Sequence, residues 1–162
     1  LPEAQVDRFL FKVNVGYPNK LEELNILKKM GKINTNLELE PIVKSEQIIS
    51  ARKIVDQIHI SENIQEYIVS LVFATREPEN YGLKDLNALI TYGASPRATI
   101  FLAIAAKSHA FLNKRGFVIP EDVRYVGNSI LNHRIILSYE AEAEDITTDN
   151  IIQRIYESVP TP

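Results

Sequence analysis

The chain has 162 residues, 45% of them hydrophobic and 24% charged, with a formal net charge of −3 and no cysteine. That balance belongs to a globular protein able to bury one ordinary core rather than to a disordered chain, and the lack of cysteine excludes disulfides and thiolate metal sites. No clustered basic stripe points to nucleic acid, and no apolar run or signal-like segment points to a membrane span or to export. Nucleic acid and membrane are therefore not expected as partners, and the cytoplasm is the default location.

The first residues, Leu1-Pro2-Glu3-Ala4-Gln5-Val6-Asp7-Arg8-Phe9, lack an initiator Met and read as a domain cut from a longer protein. They lead into an apolar, strand-like stretch, Phe9 to Val15. Gly16 to Lys20 is a turn. Leu21 to Lys29 sets Leu21, Leu24, Ile26 and Leu27 roughly on one helical face, ended by Gly31, and Lys32 to Pro41 reads as loop. Ser45 is the expected N-cap of the next helix, with Glu46 in its first turn and Ile48, Ala51, Val55 and Ile58 at helical spacing. Ser61-Glu62 repeats that signal for a helix through Ile64, Ile68, Leu71 and Val72 to about Thr75. Arg76 to Tyr92 is irregular, with room for a helical turn at Lys84 to Leu89.

Ser95 as N-cap and Pro96 at the first helical position give the clearest helix start, leading to about Lys114. Pro120-Glu121-Asp122 starts a helix to about Asn132 that contains Gly127. Ile135 to Tyr139 is strand-like, Ala141 to Asp145 an acidic loop, and Thr148-Asp149 starts a last helix that stops before Pro160. The expected fold is mostly α.

Chemistry concentrates in Gly93-Ala94-Ser95-Pro96-Arg97-Ala98. Glycine allows a tight turn, serine and proline fix the helix start, and Arg97 projects from a first turn whose free N–H groups favour an anion, an arrangement suited to phosphate. An ordinary capped helix with a solvent-facing arginine is the plain alternative. His59, His109 and His133 lack metal-like spacing. His133-Arg134 reads as capping or packing against the acidic loop, Glu140, Glu142, Glu144 and Asp145 as a solvated loop, and Phe101, Ile104, Ala105, Phe111 and Leu112 as helix core. Ser95 has no partnered His and Asp to make it a nucleophile, and capping accounts for it.

LPEAQVDRF at the start, then Gly16-Tyr17-Pro18, a helical region ending near Thr75-Arg76, GASPRA, Val118-Ile119-Pro120-Glu121-Asp122-Val123 and Asn132-His133-Arg134-Ile135 together resemble, in order and spacing, the C-terminal half of MoxR-family AAA+ ATPases. The GASPRA and HRI wording argues against a magnesium-chelatase-like or MCM-like relative. The resemblance implies that residues 1–18 are the end of the α/β ATPase core and 19–162 a helical lid. It implies that Arg8 is an arginine finger acting in trans and Arg97 the sensor 2 arginine acting in cis. Tyr17 and Pro18, at the turn between core and lid, are placed near adenine by position alone. It further implies ATP and Mg2+ as cofactors of the full-length protein, a homo-oligomeric ring, commonly a hexamer, and chaperone-like remodelling or maturation of client proteins. The chain has no Gly-x-x-x-x-Gly-Lys-Ser/Thr loop and no apolar run ending in Asp-Glu. On its own it is expected to hold no nucleotide or metal and to be inactive, as a monomer or weak dimer. A non-catalytic helical interaction module is the alternative function.

Overall fold

A computed structural model describes residues 2–33 and 40–162. In chain order the elements are α1 (Glu3–Val6), α2 (Lys20–Met30), α3 (Ser45–Gln57), α4 (Glu62–Ala74), a 3-10 turn (Pro78–Tyr81), α5 (Leu86–Leu89), β1 (Ile90–Tyr92), α6 (Pro96–Leu112), α7 (Pro120–Leu131), β2 (Ile136–Leu137), α8 (Tyr139–Ala143) and α9 (Thr148–Ser158). The protein is mostly α, as expected. None of the described helices is long and apolar enough to cross a membrane.

The core lies among α4, α6, α7 and α9. Ile68 and Leu71 of α4, Leu102 of α6, Ile130 and Leu131 of α7 and Ile151, Ile152 and Ile155 of α9 are fully or almost fully buried. Each such side chain contributes on the order of 1.5–3 kcal/mol. Ser61, Ser95 and Thr147 accept backbone N–H bonds at the starts of α4, α6 and α9, satisfying donors that helix geometry leaves unpaired. Gly127 lets α7 approach α9: a Cβ there would collide with the Tyr156 hydroxyl and lie 3.1 Å from its Cζ.

Several local expectations shift. Phe9 to Val15 runs without strand pairing: the Lys12 N–H donates to the Ser129 carbonyl at 2.8 Å, and Phe9, Phe11, Val13 and Val15 stay exposed. The stretch has the apolar residues of a strand but no neighbouring strand among the described residues. α2 begins with a capping box, Asn19 accepting from the Glu22 N–H and Glu22 from the Asn19 N–H, yet Leu21, Leu24, Ile26 and Leu27 are exposed. The N-cap of α3 is Lys44, one residue before Ser45, because Gln47 Oε1 accepts the Lys44 N–H at 2.8 Å. In the loop expected from Lys32 to Pro41, residues 34–39 lie outside the described residues.

Within the irregular 76–92 stretch, the helical turn is α5, and Ile90–Tyr92 forms a strand that periodicity did not reveal. It pairs antiparallel with β2, with Ile90 opposite Leu137 and Tyr92 opposite Ile136. The acidic loop is instead the short helix α8, started by Ser138 Oγ accepting the Ala141 N–H and anchored by buried Ala141, while Glu140, Glu142, Glu144 and Asp145 face solvent. Along α6, Ala105 is buried and Phe101 and Phe111 half-buried, but Ile104 and Leu112 are exposed.

Candidate functional site

The turn before α6 is gripped by the end of α4. Thr75, fully buried, donates its hydroxyl to the Val72 carbonyl at 2.7 Å and accepts the Ala94 N–H at 2.9 Å. Arg76 Nε donates to the Ala94 carbonyl at 2.6 Å, with its guanidinium 5.2 Å from the Phe73 ring centre. Only glycine fits before Ala94, because a Cβ on Gly93 would run into the Thr75 carbonyl oxygen. The chain thus enters α6 at a fixed place, where Ser95 Oγ accepts the Arg97 N–H at 3.2 Å. The Arg97 side chain leaves that first turn 48% exposed.

Asp7 meets this helix start. Its carboxylate accepts Ser95 Oγ at 2.9 and 3.0 Å, Arg97 Nη1 at 3.1 Å and Arg134 Nε at 3.0 Å. The β1–β2 pairing explains the third contact, since it lays the residues preceding Ile136 beside those following Tyr92. Burial alone would raise the Asp7 pKa. The hydrogen bonds from Ser95 and Arg97 and the charge of Arg134 outweigh it and hold the carboxyl below its ordinary value.

Arg134 is the innermost member, with no side-chain exposure. Its Nη2 donates to the carbonyls of Asp7 at 2.9 Å and Phe9 at 2.5 Å, and its Nη1 to those of Ile130 and, at 3.5 Å, Leu10. Its plane lies 4.9 Å from the Phe101 ring centre. Burial lowers its pKa, against the opposing pull of Asp7. His133 Nε2 sits 3.1 Å from the Phe9 carbonyl, which requires the proton on that nitrogen, while Nδ1 is buried without a partner. Burial also lowers the His133 pKa. Ala4, Asp7, Tyr92, Gly93, Ser95 and His133 line a hollow of about 250 Å3 here.

Arg8 is exposed, and its side chain has no hydrogen bond or ion pair among the described residues. The structure does not bring Arg8 and Arg97 together; it is the neighbouring Asp7 that joins the cluster and contacts Arg97. Tyr17 and Pro18 are exposed and stand outside this cluster, Pro18 lining a shallow surface with α2. Sequence reasoning missed Asp7 and Arg134 as partners and assigned His133-Arg134 to helix capping or packing against the acidic loop; Arg134 does bond the Ile130 carbonyl in the last turn of α7. Asp7 and Arg134 both lie inside quoted motifs, but they are 127 positions apart and only the fold joins them.

The AAA lid domain family matches residues 85–155. Over its whole length the chain is 40% identical to the protein named Chaperone MoxR1 of Mycobacterium tuberculosis, covering 42% of that protein. It is 30% identical to Protein MoxR of Methylorubrum extorquens, again along the whole chain and over 50% of that relative. A crystal structure of a candidate ATPase from Cytophaga hutchinsonii superposes with a TM-score of 0.94 at 46% identity, covering 100% of this chain and 49% of the other. The chain thus spans about half the length of the curated relatives it matches.

Proposed function

We propose, for a chain that belongs to the MoxR family of AAA+ ATPases and carries its lid domain, that Arg8 and Arg97 serve two different ATP sites of a ring. Arg97 acts in cis, drawing the lid toward the γ-phosphate of its own subunit. Arg8 acts in trans, on the nucleotide of the next subunit. The observation that carries this reading is the contrast between the two residues on either side of one peptide bond. Asp7 is held on the lid by Ser95, Arg97 and Arg134, while Arg8 is exposed and free of any side-chain partner among the described residues.

The chemistry suits both roles. A first helical turn with a projecting guanidinium favours a phosphate oxygen, and an arginine supplied in trans is worth on the order of a thousandfold in phosphoryl transfer. The residues present fit the phosphate end of ATP. Magnesium ligands and the remaining phosphate contacts belong, in this reading, to other parts of the longer protein. Tyr17 and Pro18 lie toward the adenine, the ring is commonly a hexamer, and turnover drives remodelling or maturation of client proteins.

In the full-length protein Arg8→Ala is expected to abolish ATP turnover while leaving ATP binding largely intact, and Arg97→Ala to impair turnover or alter nucleotide affinity. Steady-state rates equal to wild type in both variants would remove both assignments.

A further inference from the structure

We infer that Arg134 is a positioning residue for Arg8, its buried guanidinium fixing the backbone on both sides of the residue that reaches the neighbouring subunit. The inference rests on the role proposed above for Arg8.

A guanidinium carries five N–H donors in a rigid plane, and Arg134 directs all five to definite acceptors. Nε binds the Asp7 carboxylate, the two hydrogens of Nη2 bind the Asp7 and Phe9 carbonyls, and those of Nη1 bind the Ile130 and Leu10 carbonyls. Asp7 and Phe9 flank Arg8, so one side chain holds the peptide unit that precedes Arg8 and the one that follows Phe9. The Ile130 bond and the Phe101 ring tie the same plane to α7 and α6. The segment needs such an anchor. α1 is a single turn of four residues, too short to hold itself, and the chain beyond Phe9 forms no strand among the described residues.

Lysine keeps the charge but offers three donors from one point, so it cannot bridge Asp7 and Phe9 in the same geometry. With the backbone unpinned, Arg8 would lose its position rather than its chemistry. Misplacement of a catalytic group by about 1 Å costs on the order of a hundredfold in rate. Because Arg8 acts on charge that develops in the transition state, the loss falls on kcat and not on KM.

The test uses the full-length protein. Arg134→Lys is expected to lower kcat for ATP about ten- to a hundredfold, with KM unchanged within about twofold and ring size unchanged by sedimentation. In an Arg8→Ala background, followed by product accumulation over hours, Arg134→Lys is expected to cause no further loss. Wild-type kcat in Arg134→Lys, or an undiminished further loss in the Arg8→Ala background, would overturn the inference while leaving the role of Arg8 standing. Wild-type turnover in Arg8→Ala alone would instead remove the role of Arg8 and this inference with it. A variant melting below the assay temperature is still decided at lower temperature by a nitroxide at Arg8→Cys in the full-length protein, with any cysteine outside these 162 residues replaced by serine. The label spectrum is expected to sharpen when Arg134 becomes lysine, and an unchanged spectrum would reject the anchoring role.

Discussion

Asp122→Ala should be among the most destabilising single substitutions in the protein, because this one carboxylate satisfies four donors at the start of α7. Asp122 is fully buried. It accepts both Nη atoms of Arg115, His109 Nδ1 at 2.6 Å and the Ile119 N–H at 2.9 Å, and His109 stacks on Tyr125 with ring centres 4.1 Å apart. Removing one partner of a buried ion pair costs about 3–5 kcal/mol. Here Arg115 and His109 keep 25% and 22% side-chain exposure, so the orphaned cation can reach water and the lower end applies. The unpaired Ile119 N–H adds about 1 kcal/mol as a lost helix cap. A loss of about 3–4 kcal/mol corresponds to a fall in Tm of roughly 6–16 °C for a domain of this size. Burial pushes the Asp122 pKa up, but Arg115, the Ile119 amide and His109 hold it below its ordinary value of 3.8. The stabilisation is therefore fully present above that value and lost as pH falls through the lower folded-state value. Thermal melts of wild type and Asp122→Ala from neutral to acid pH check both halves. A loss under about 1 kcal/mol, or an acid limb of the same steepness in the variant, would refute the reasoning.

Gly93→Ala places a Cβ 2.6 Å from the Thr75 carbonyl carbon and 2.8 Å from Arg76 Cγ. Backbone cannot swing aside, so the turn must move, at about 1–3 kcal/mol by urea denaturation, and Arg97 with it, giving a full-length variant with the same ATPase defect as Arg97→Ala. Asp7, whose carboxyl is held below 3.8, should keep residues 5–10 docked above that pH and release them as pH falls through its folded-state value. Pepsin cleavage of this segment should rise over that acid range in wild type and already be high in Asp7→Asn.

How much of this was legible in the sequence depended on whether the signal was local. The starts of α4 and α6 were readable because capping uses neighbours: Ser61 and Ser95 each bond an amide two or three residues on. Strand β1 was not, since three residues carry no usable period and its partner lies 46 positions away. Exposure of the apolar face of α2 was equally hidden, because a helical pattern states which residues share a face and not what covers it. The site divided in the same way. Arg97 announces itself through the serine and proline before it, whereas Arg134 becomes recognisable only once β1 and β2 pair and bring it under Asp7.

The same division separates the two arginines energetically. The Arg97–Asp7 pair is about half exposed on the arginine side, a setting in which an ion pair is worth about 0–1 kcal/mol. Arg134 is sealed from water, with all five donors engaged, so parting it from Asp7 would strand a buried charge at about 3–5 kcal/mol. Of its two arginine partners, Asp7 therefore has one that is permanent and one that is exchangeable. A phosphate offered to Arg97, as the proposed function requires, competes only with the weaker contact. Arg97 can turn to the nucleotide while Arg134 keeps the peptide units around Arg8 in place. The first motif and the helix start can thus be joined at Asp7 without the joint having to break for Arg97 to work.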